Sequence, residues 1–520
     1  MTGTKSSKSN MAVVIVGGGP SGAAAAKAMA DRGYTNINLY EAYPHPKSLS
    51  KTSSKAYVIA LSYRGQQGIL DSTGIDMVKE AEGAAEGVIS NDMARHIHNP
   101  KTKQTSAKTQ NHKETPSLII PRKALTERLL DAAHESGTCV NYQHRLIEVD
   151  FENRVATFAI LGENGDEGVK EKPTPRMVDV KYDLLIGADG CNSKVRNLMV
   201  DNNKSLKDFS ARIEEDTMEY QVVVLPDSPF VDSHPEGTVH SWNNKELNAI
   251  CLGFPMKKND GGTNDSDTPR YSMLFAVVFP EGKLESFRDD GYRAPLTKLL
   301  PDLFVGEDGE KCLSEFEGQL RENHIANGGV CVWSSSLGHA DVDAQGQTGG
   351  VILLGDSGHG MWPSLGQGAN CALESVAVFV RCLDELANKD EEQGEIASTW
   401  TKELVQRFQD ARFEDAVAAV DLTYGGIGAR KSRGRINAPF SYKLQMIGMM
   451  LLHKLTFGIV PMPALLRLMT GSKDLSYSTA KRFNFHYEKY ICLGALFFSI
   501  GLITAGMKAF PNSSGNGTEL

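Results

Sequence analysis

The chain has 520 residues, which is enough for two or three domains with a large apolar core. The apolar fraction of 41% and the charged fraction of 23% are ordinary for a globular protein. A net charge of −9 argues against a nucleic-acid partner, because such proteins carry a surplus of basic residues. The eight cysteines form no C-x-x-C pair and match no zinc or iron–sulfur spacing, so neither a metal site nor a disulfide framework is predicted.

The N-terminal region has the pattern of one βαβ unit. An apolar, β-branched run at 11–16 predicts a strand, 23–30 favours a helix, and 36–40 predicts a second strand. The segment G-G-G-P-S-G between strand and helix is a G-x-G-x-x-G fingerprint, in which the glycines permit a tight turn, the approach of a pyrophosphate and close helix packing. An acidic residue after the second strand is placed to bind ribose hydroxyls. The cofactor-binding residues predicted from this unit are Gly17, Gly19, Gly22 and Glu41.

The middle of the chain changes from α/β to mainly β character. A polar segment at 101–115 predicts an exposed loop or hairpin, and 121–133 favours a helix. Buried strands are predicted at 182–188 and 351–354, and a helix is predicted at about 366–388. Three strand-like runs predict an antiparallel sheet on the substrate side, at 220–225, 249–254 and 272–279.

Two more glycine-rich motifs follow the fingerprint. One is G-A-D-G at 187–190, and the other is G-D-S-G-H-G at 355–360, which continues as P-S-L-G-Q-G-A-N to residue 370. In this order and spacing, the three motifs resemble those of the single-component flavoprotein hydroxylases typified by para-hydroxybenzoate hydroxylase. The resemblance implies FAD, with a helix dipole that favours negative charge on the reduced flavin. It also implies FAD contacts at Arg122, Asp189, Gly190, Asp356, Gly366 and Gly368. Two of these residues, Asp189 and Gly190, are associated with NADPH as well.

Within that family, the chain is most similar to the kynurenine 3-monooxygenases, on the phrases A-L-S-Y-R-G at 60–65 and M-A-R-H-I-H at 93–98. The resemblance implies hydroxylation of L-kynurenine to 3-hydroxykynurenine with NADPH and O2, through a flavin C4a-hydroperoxide. It implies that Arg95 binds the substrate carboxylate and that Asn370 and Tyr424 lie near the substrate. The stretch 105–115 departs from the family's pattern, because it lacks a substrate-contacting tyrosine and offers only polar candidates, Asn111 and His112.

Two other functions stay open. An epoxidase or hydroxylase of a lipid-soluble isoprenoid would use the same FAD motifs, although Arg95 argues against a substrate without a carboxylate. A membrane-bound flavin-binding scaffold without turnover is disfavoured by the intact third motif. His359 is interpreted as structural, and Arg64 as either a flavin contact or an ion pair at a helix start. No H-E-x-x-H, G-x-S-x-G or P-loop is present, so the chemistry is assigned to the flavin and no side chain is predicted to be catalytic.

The C-terminal region is strongly apolar. A run of 17 residues without a charge at 491–507 predicts a short transmembrane helix, since spanning a bilayer takes about 20 apolar residues and at least about 17. A buried core helix is the alternative. Lys481, Arg482 and Lys489 precede the run and favour a cytosolic enzyme, because basic residues prefer that flank. The resemblance implies the mitochondrial outer membrane.

We therefore predict an α/β fold in which a Rossmann-like FAD-binding domain is interleaved with an antiparallel β-sheet substrate domain and followed by a helical, membrane-anchoring region. The FAD-binding domain comprises 11–215, with inserted segments, and 336–440 with its helices. The mainly β substrate domain comprises 216–335, and the C-terminal region comprises 441–520. The predicted partners are a small aromatic substrate, O2 and a membrane, and the sequence does not determine the oligomeric state.

Overall fold

The computed structural model of the protein describes most of the chain. The described residues are 11–48, 57–82, 86–99, 102, 104–111, 115–161, 175–202, 206, 209–226, 234–235, 237–257, 271–342, 348–393, 399–425, 440–469, 472–473 and 475–494.

The strands of these residues belong to five sheets. In chain order they are β1 (Val13–Val16), β2 (Ile37–Tyr40), β3 (Val58–Leu61), β4 (Val88–Ser90), β5 (Asp92–Asn99), β6 (Gln104–Asn111), β7 (Ser117–Pro121), β8 (Cys139–Asn141), β9 (His144–Asp150), β10 (Val155–Ile160), β11 (Arg176–Lys181), β12 (Leu184–Gly187), β13 (Ala211–Glu215), β14 (Met218–Leu225), β15 (Val239–Asn244), β16 (Ala249–Lys257), β17 (Tyr271–Pro280), β18 (Ala326–Asn327), β19 (Val330–Ser334), β20 (Gly338–Val342) and β21 (Thr348–Leu353).

The helices lie mainly in the second half of the chain. They are α1 (Pro20–Ala30), α2 (Tyr63–Thr73), α3 (Met77–Glu82), α4 (Arg122–Glu135), α5 (Lys194–Asp201), α6 (Lys283–Asp290), α7 (Arg293–Leu299), α8 (Gly306–Glu322), α9 (Asp356–His359), α10 (Gly368–Gln393), α11 (Trp400–Gly425), α12 (Phe440–Leu455), α13 (Ala464–Met469) and α14 (Tyr477–Arg482).

A mixed six-stranded sheet forms the centre of the cofactor side. Its order is β20-β21-β12-β1-β2-β8, and every neighbouring pair is parallel except β20–β21 at one edge. Alternate side chains of β1 point to opposite faces. Val13 and Ile15 pack with the apolar faces of α1, α4 and α10, whereas Val14 and Val16 pack with Phe158 of β10. Both faces are therefore covered, as a parallel sheet requires.

The predicted first βαβ unit is present as β1, α1 and β2. The helix starts at Pro20, three residues before the predicted start, because proline needs no backbone hydrogen bond in a first turn. Its apolar face consists almost entirely of alanines, and Ala23–Ala26 are fully shielded from solvent. Such small side chains let α1 approach the sheet closely, which brings its N-terminal end near the end of β1.

A seven-stranded sheet forms the substrate side, in the order β18-β14-β17-β16-β15-β5-β6. All of its pairs are antiparallel except β5–β15. Helices α6 to α8 cover one face through a core that includes Phe275 and Phe316. The predicted antiparallel layer corresponds to β14, β16 and β17, and the polar segment predicted as a loop or hairpin supplies β6. The strands β5 and β6 come from the part of the chain that is predicted to belong to the FAD-binding domain. This sheet therefore contains strands from both sides of the predicted boundary at residue 215. The domain boundaries stay a prediction.

The C-terminal region is helical as far as it is described. After α14 the chain passes through one π-helical turn at Phe483–Tyr487 and remains helical to residue 494. None of the described helices combines the length and apolar composition that crossing a bilayer requires. The predicted span 491–507 lies outside the described residues from position 495 onward, so the membrane anchor is taken up below as a proposal.

Candidate flavin site

The fingerprint turn lies between the end of β1 and the start of α1. Gly17 has a φ of +103°, and a Cβ there would lie 2.4 Å from the carbonyl oxygen of Ala188. A Cβ on Gly22 would lie 2.0 Å from the carbonyl oxygen of Gly17. Protein packing therefore demands both glycines. Gly19 is different, because its Cβ would meet only Arg122 Nη2 at 3.6 Å, and so the protein itself leaves room at this position.

Glu41 follows β2 and orders the fingerprint loop. Its Oε2 accepts a hydrogen bond from the Gly18 N–H at 2.6 Å, and its Oε1 accepts one from the Tyr43 N–H at 2.9 Å. Each carboxylate oxygen can accept a second hydrogen bond, so Glu41 retains capacity for ribose hydroxyls. The structure thus places Glu41 at the fingerprint, where the sequence predicts it.

Asp189 follows β12 and caps α5. Its Oδ2 accepts hydrogen bonds from the backbone N–H groups of Lys194 at 2.6 Å and Val195 at 3.1 Å, and Ser193 caps the same helix. Its Oδ1 is shielded from solvent and has no partner among the described residues. Burial raises the pKa of Asp189, and the hydrogen bonds of the cap oppose that rise. Gly190, with a φ of +83°, has open space where a Cβ would stand.

Asp356 begins α9 directly after β21, and it also has an oxygen without a partner. Its Oδ1 is shielded from solvent and accepts no hydrogen bond from any described residue. Burial raises the pKa of Asp356, while the positive charge of Arg122 opposes the rise. Arg122, the first residue of α4, therefore lies between the fingerprint at Gly19 and the carboxylate of Asp356.

The loop before α10 borders the same space. Gly366 has a φ of +62°, and a Cβ there would meet no atom within 4 Å. A Cβ on Gly368, the first residue of α10, would have only Met361 Cγ nearby, at 3.8 Å. The positive end of the dipole of a 26-residue helix is thus presented at an open part of the site.

Asn370 is predicted to lie near the substrate, but the structure commits its amide to the protein. The residue is fully buried. Its Oδ1 accepts from the Ser62 N–H at 2.9 Å, and its Nδ2 donates to the carbonyls of Ala60 at 3.1 Å and Gly366 at 3.0 Å. These hydrogen bonds tie β3 and the start of α2 to the glycine-rich loop, and a place for Asn370 near the substrate stays a prediction.

Two further residues that the sequence singles out are structural. His359 is buried and its Nε2 lies 2.8 Å from Ser375 Oγ, while burial, aided by a nearby guanidinium, lowers its pKa to about 3. Arg64 forms an ion pair with Glu374, and its guanidinium lies 4.5 Å from the ring centroid of Tyr477. Of its two interpretations, the structure therefore supports the ion pair at a helix start.

Three further residues, Tyr57, Tyr220 and Cys191, accompany the predicted cofactor contacts, and none of them belongs to a sequence motif. The Arg122 guanidinium lies 5.6 Å from the ring centroid of Tyr57. Burial raises the pKa of Tyr220 to about 12, with a contribution from Tyr57. Burial also raises the pKa of Cys191, and the carboxylate of Asp356 adds to the rise. Only Cys191 had a signal in the sequence, since it follows the G-A-D-G motif directly.

Arg95 lies in β5 on the face that is turned away from the helices of the substrate side. It shares this face with Met93, which packs with Ile119 of β7 in the contact between the seven-stranded sheet and the sheet of β3, β4 and β7. Its side chain is exposed. Among the residues that the structure describes, the guanidinium has no ion pair or hydrogen bond, and it is thus available to an anionic ligand.

The stretch that lacks the family's tyrosine forms β6. This strand pairs antiparallel with β5, so that Lys108 lies opposite Arg95 and Asn111 lies opposite Asp92. His112 lies outside the described residues. A substrate contact from the polar candidates of this stretch stays a prediction.

Tyr424 lies in an aromatic cluster near the end of α11. Its ring centroid is 5.2 Å from that of Trp333 and 5.1 Å from that of Trp362, and the Arg212 guanidinium lies 5.4 Å from the Tyr424 ring. We call Trp333, Trp362 and Tyr424 the aromatic wall. Trp362 directly precedes the turn Pro363–Leu365 that leads into α10. The aromatic wall is thus beside the glycine-rich loop, and a substrate contact of Tyr424 stays a prediction.

These features fit FAD. Gly19 leaves room for a pyrophosphate at the positive end of α1, and Arg122 supplies a cation beside it. The unpartnered carboxylate oxygens of Asp189 and Asp356 match the hydroxyl donors of a ribityl or ribose chain. The fold and the site therefore define a flavoprotein with a Rossmann-like cofactor side.

Comparison with known proteins identifies the family. The family described as FAD binding domain matches residues 10–273, and the chain belongs to it. The chain is 27% identical to the kynurenine 3-monooxygenase of Chaetomium globosum, and the match covers 73% of this chain and 75% of that protein. It is 27% identical to the kynurenine 3-monooxygenase of Saccharomyces cerevisiae over 71% of its length and 73% of that protein. These matches confirm the predicted FAD-dependent monooxygenase.

Solved structures support the fold. The tetrameric form of 2-methyl-3-hydroxypyridine-5-carboxylic acid oxygenase superimposes with a TM-score of 0.54 at 17% identity, covering 90% of this chain and 99% of that one. PqsL of P. aeruginosa in complex with 2-aminobenzoylacetate superimposes with a TM-score of 0.52 at 17% identity, covering 82% of this chain and 98% of that one. The six-stranded and seven-stranded sheets thus belong to a fold that is known from solved structures.

We expect Gly19→Ala to fold normally but to lose bound FAD. The new Cβ meets no protein atom closer than 3.6 Å, so any loss reports the space that the cofactor occupies. The measurement is the flavin-to-protein absorbance ratio after purification. Gly318→Ala is the matched control, because Gly318 lies in α8 and a Cβ there meets no atom within 4 Å. Full flavin occupancy in Gly19→Ala would show that the fingerprint does not hold the pyrophosphate.

Proposed function

We propose that this FAD-dependent monooxygenase uses NADPH and O2 to hydroxylate L-kynurenine to 3-hydroxykynurenine. The similarity to proteins named kynurenine 3-monooxygenase over more than 70% of the chain supports this substrate. The position of Arg95 carries the proposal, because an exposed guanidinium lies on the sheet face that packs, through Met93, against the sheet of β3, β4 and β7. A cation there suits an amino-acid carboxylate and has no use for a hydrocarbon substrate.

The chain's own residues bind and orient the reactants. Bound FAD, once reduced by NADPH, supplies the activation of O2 and the transfer of one oxygen atom to an aromatic ring. Asp356 and Arg122 are the side chains that would hold the cofactor, and Asn370 braces the glycine-rich loop through its bond to the Gly366 carbonyl. Arg95 orients the substrate through its carboxylate. The aromatic wall adds apolar rings beside the glycine-rich loop, and such a surface favours the exclusion of water that reactive oxygen chemistry needs.

We expect purified holoprotein to oxidise NADPH faster when L-kynurenine is present and to form 3-hydroxykynurenine in step with NADPH consumption. The measurement combines NADPH absorbance with chromatographic quantification of the product. A membrane-soluble isoprenoid serves as the comparison substrate. NADPH oxidation that responds only to the isoprenoid would assign the chain to the alternative monooxygenase class, and oxidation that responds to neither substrate would refute the kynurenine proposal.

We expect Arg95→Ala to raise the KM for L-kynurenine about ten- to a hundred-fold, since a charge-assisted hydrogen bond contributes about 1.5–3 kcal/mol. Flavin content should stay normal, because Arg95 lies on the substrate-side sheet. Arg145→Ala is the control, as Arg145 is an exposed arginine of β9. Steady-state kinetics that are the same for Arg95→Ala and wild type would remove Arg95 from the substrate site.

We also propose that the C-terminal region holds the enzyme on a membrane, facing the cytosol, and that this membrane is the mitochondrial outer membrane. Support comes from α12, where a stripe of large apolar side chains at helical spacing stays exposed. Its members are Leu444, Ile447, Leu451 and Leu455, with exposures of 59%, 64%, 56% and 66%. Phe457 and Ile459 follow and are 97% and 87% exposed.

The charge-free run 491–507 begins in the helix that follows the π-helical turn. Gln445 of α12 donates from Nε2 to the Asn484 carbonyl in that turn at 2.8 Å and to Glu488 Oε2 in that helix at 3.2 Å, so both pack on α12. An insertion of 17 residues suits a thin bilayer better than a thick plasma membrane. The stripe on α12 would then rest at the membrane surface beside the inserted helix.

We expect removal of residues 490–520 to shift the protein from the membrane fraction to the soluble fraction, with partial retention through the α12 stripe. The double substitution Ile447→Ser and Leu451→Ser should release the truncated protein further, because it removes exposed apolar area without touching the core. The measurement is fractionation of cells followed by a carbonate wash at high pH. Extraction of the full-length protein by carbonate would contradict a transmembrane anchor.

A further inference from the structure

Three histidines from two parts of the chain meet on the helix-covered side of the seven-stranded sheet. His96 lies in β5, His240 lies in the neighbouring β15, and His234 lies just before β15. Each offers one ring nitrogen, and these atoms all lie within 4.8 Å of one another. His96 and His240 are buried, with His96 Nε2 at 2.9 Å from His240 Nδ1, whereas His234 is only partly buried. The cluster can therefore be reached from the side of His234.

A carboxylate orients the first of these rings. Asp302 accepts a hydrogen bond from His96 Nδ1, and its other oxygen accepts one from Trp242 Nε1 at 2.8 Å. Trp242 also stacks on His96, with ring centroids 4.3 Å apart and planes inclined by 16°. A carboxylate on Nδ1–H fixes the tautomer with its lone pair on Nε2, the atom that faces His240. Metal-binding histidines are commonly oriented in this way.

A tight turn holds the third ring in place. The N–H and the hydroxyl of Thr238 both donate to the carbonyl of Pro235, at 3.1 and 2.6 Å. Gly237 has a φ of +80°, and a Cβ there would lie 2.4 Å from the carbonyl oxygen of Ile89. The turn thus follows His234 directly and is anchored to the start of β15, which restricts where the His234 imidazole can lie.

We propose that His96, His234 and His240 form a Zn²⁺ site, with water as the fourth ligand. Three imidazoles suit Zn²⁺, which binds nitrogen ligands at about 2.0–2.1 Å in a tetrahedron. Mg²⁺ and Ca²⁺ are excluded because they require oxygen ligands. A tetrahedral site of this kind separates its nitrogens by about 3.3 Å, so the 2.9 Å between His96 and His240 needs to widen only slightly.

The site lies outside the flavin site. Successive residues of a strand point to opposite faces, and so His96 faces the helices while Arg95 faces the cofactor side. Zn²⁺ would join β5, β15 and the turn after His234, at the one parallel pair of an otherwise antiparallel sheet. The ion therefore acts as a structural clamp on the strand that carries Arg95, and it takes no part in oxygen transfer.

The test uses holoprotein without a histidine tag, from which metal ions are removed with EDTA. The protein is then titrated with ZnCl2 by calorimetry, and bound zinc is counted by mass spectrometry. Wild type should bind about one Zn²⁺ per chain. His234→Gln should abolish this binding, and Asp302→Asn should weaken it roughly ten- to a hundred-fold. His98→Gln is the matched control, because His98 lies two residues further along β5, is exposed and lies outside the cluster. Flavin content and circular dichroism report that each variant is folded.

Two results would overturn the proposal. One is the absence of saturable Zn²⁺ binding by wild-type holoprotein. The other is binding by His234→Gln and Asp302→Asn with the affinity of wild type, which would place the ion elsewhere on the surface. If His234→Gln loses its flavin or its fold, the affinity of Asp302→Asn relative to His98→Gln decides the question, since this substitution leaves all three imidazoles in the chain.

Discussion

The cofactor site depends on the parallel direction of four neighbouring strands in the six-stranded sheet. Parallel strands end at the same edge, so the residues that follow them meet there whatever their separation in sequence. β1 leads into the fingerprint, β2 into Glu41, β12 into Asp189 and β21 into Asp356. The helices that follow β1 and β12 begin at this edge and present their positive ends to it. The shared direction of these strands thus brings together, at one edge, the groups that can bind phosphates and hydroxyls.

This arrangement links cofactor binding to stability. Asp189 and Asp356 each keep one shielded carboxylate oxygen without a protein partner, and burial raises the pKa of both. Such oxygens are unfavourable in the chain alone, and hydroxyl donors of a bound cofactor would satisfy them. A ligand that binds only the folded state stabilises it by mass action. Bound FAD would therefore stabilise the folded state through these two carboxylates.

The two faces of the seven-stranded sheet carry different groups of side chains. Because side chains alternate along a strand, β5 presents Arg95 to the cofactor side and His96 to the helices. The first face meets the sheet of β3, β4 and β7, where Met93 and Ile119 pack. The second face continues into the core under α6 to α8. One strand can thus serve substrate binding and structural support without conflict between the two.

The sequence by itself determined the elements whose signals are local. The glycines at 17 and 22, the acids that follow the strands and the apolar periods of β1, α1, β14 and β17 are all readable within a few residues. The tertiary structure alone decided which groups satisfy one another across the fold. The Asn370 amide bonds to backbone partners, Arg64 pairs with Glu374, and His96 of β5 lies beside two histidines from a remote segment of the chain. The reason is that hydrogen bonds, ion pairs and metal sites depend on distance in space, whereas motifs and periodicity record only distance along the chain.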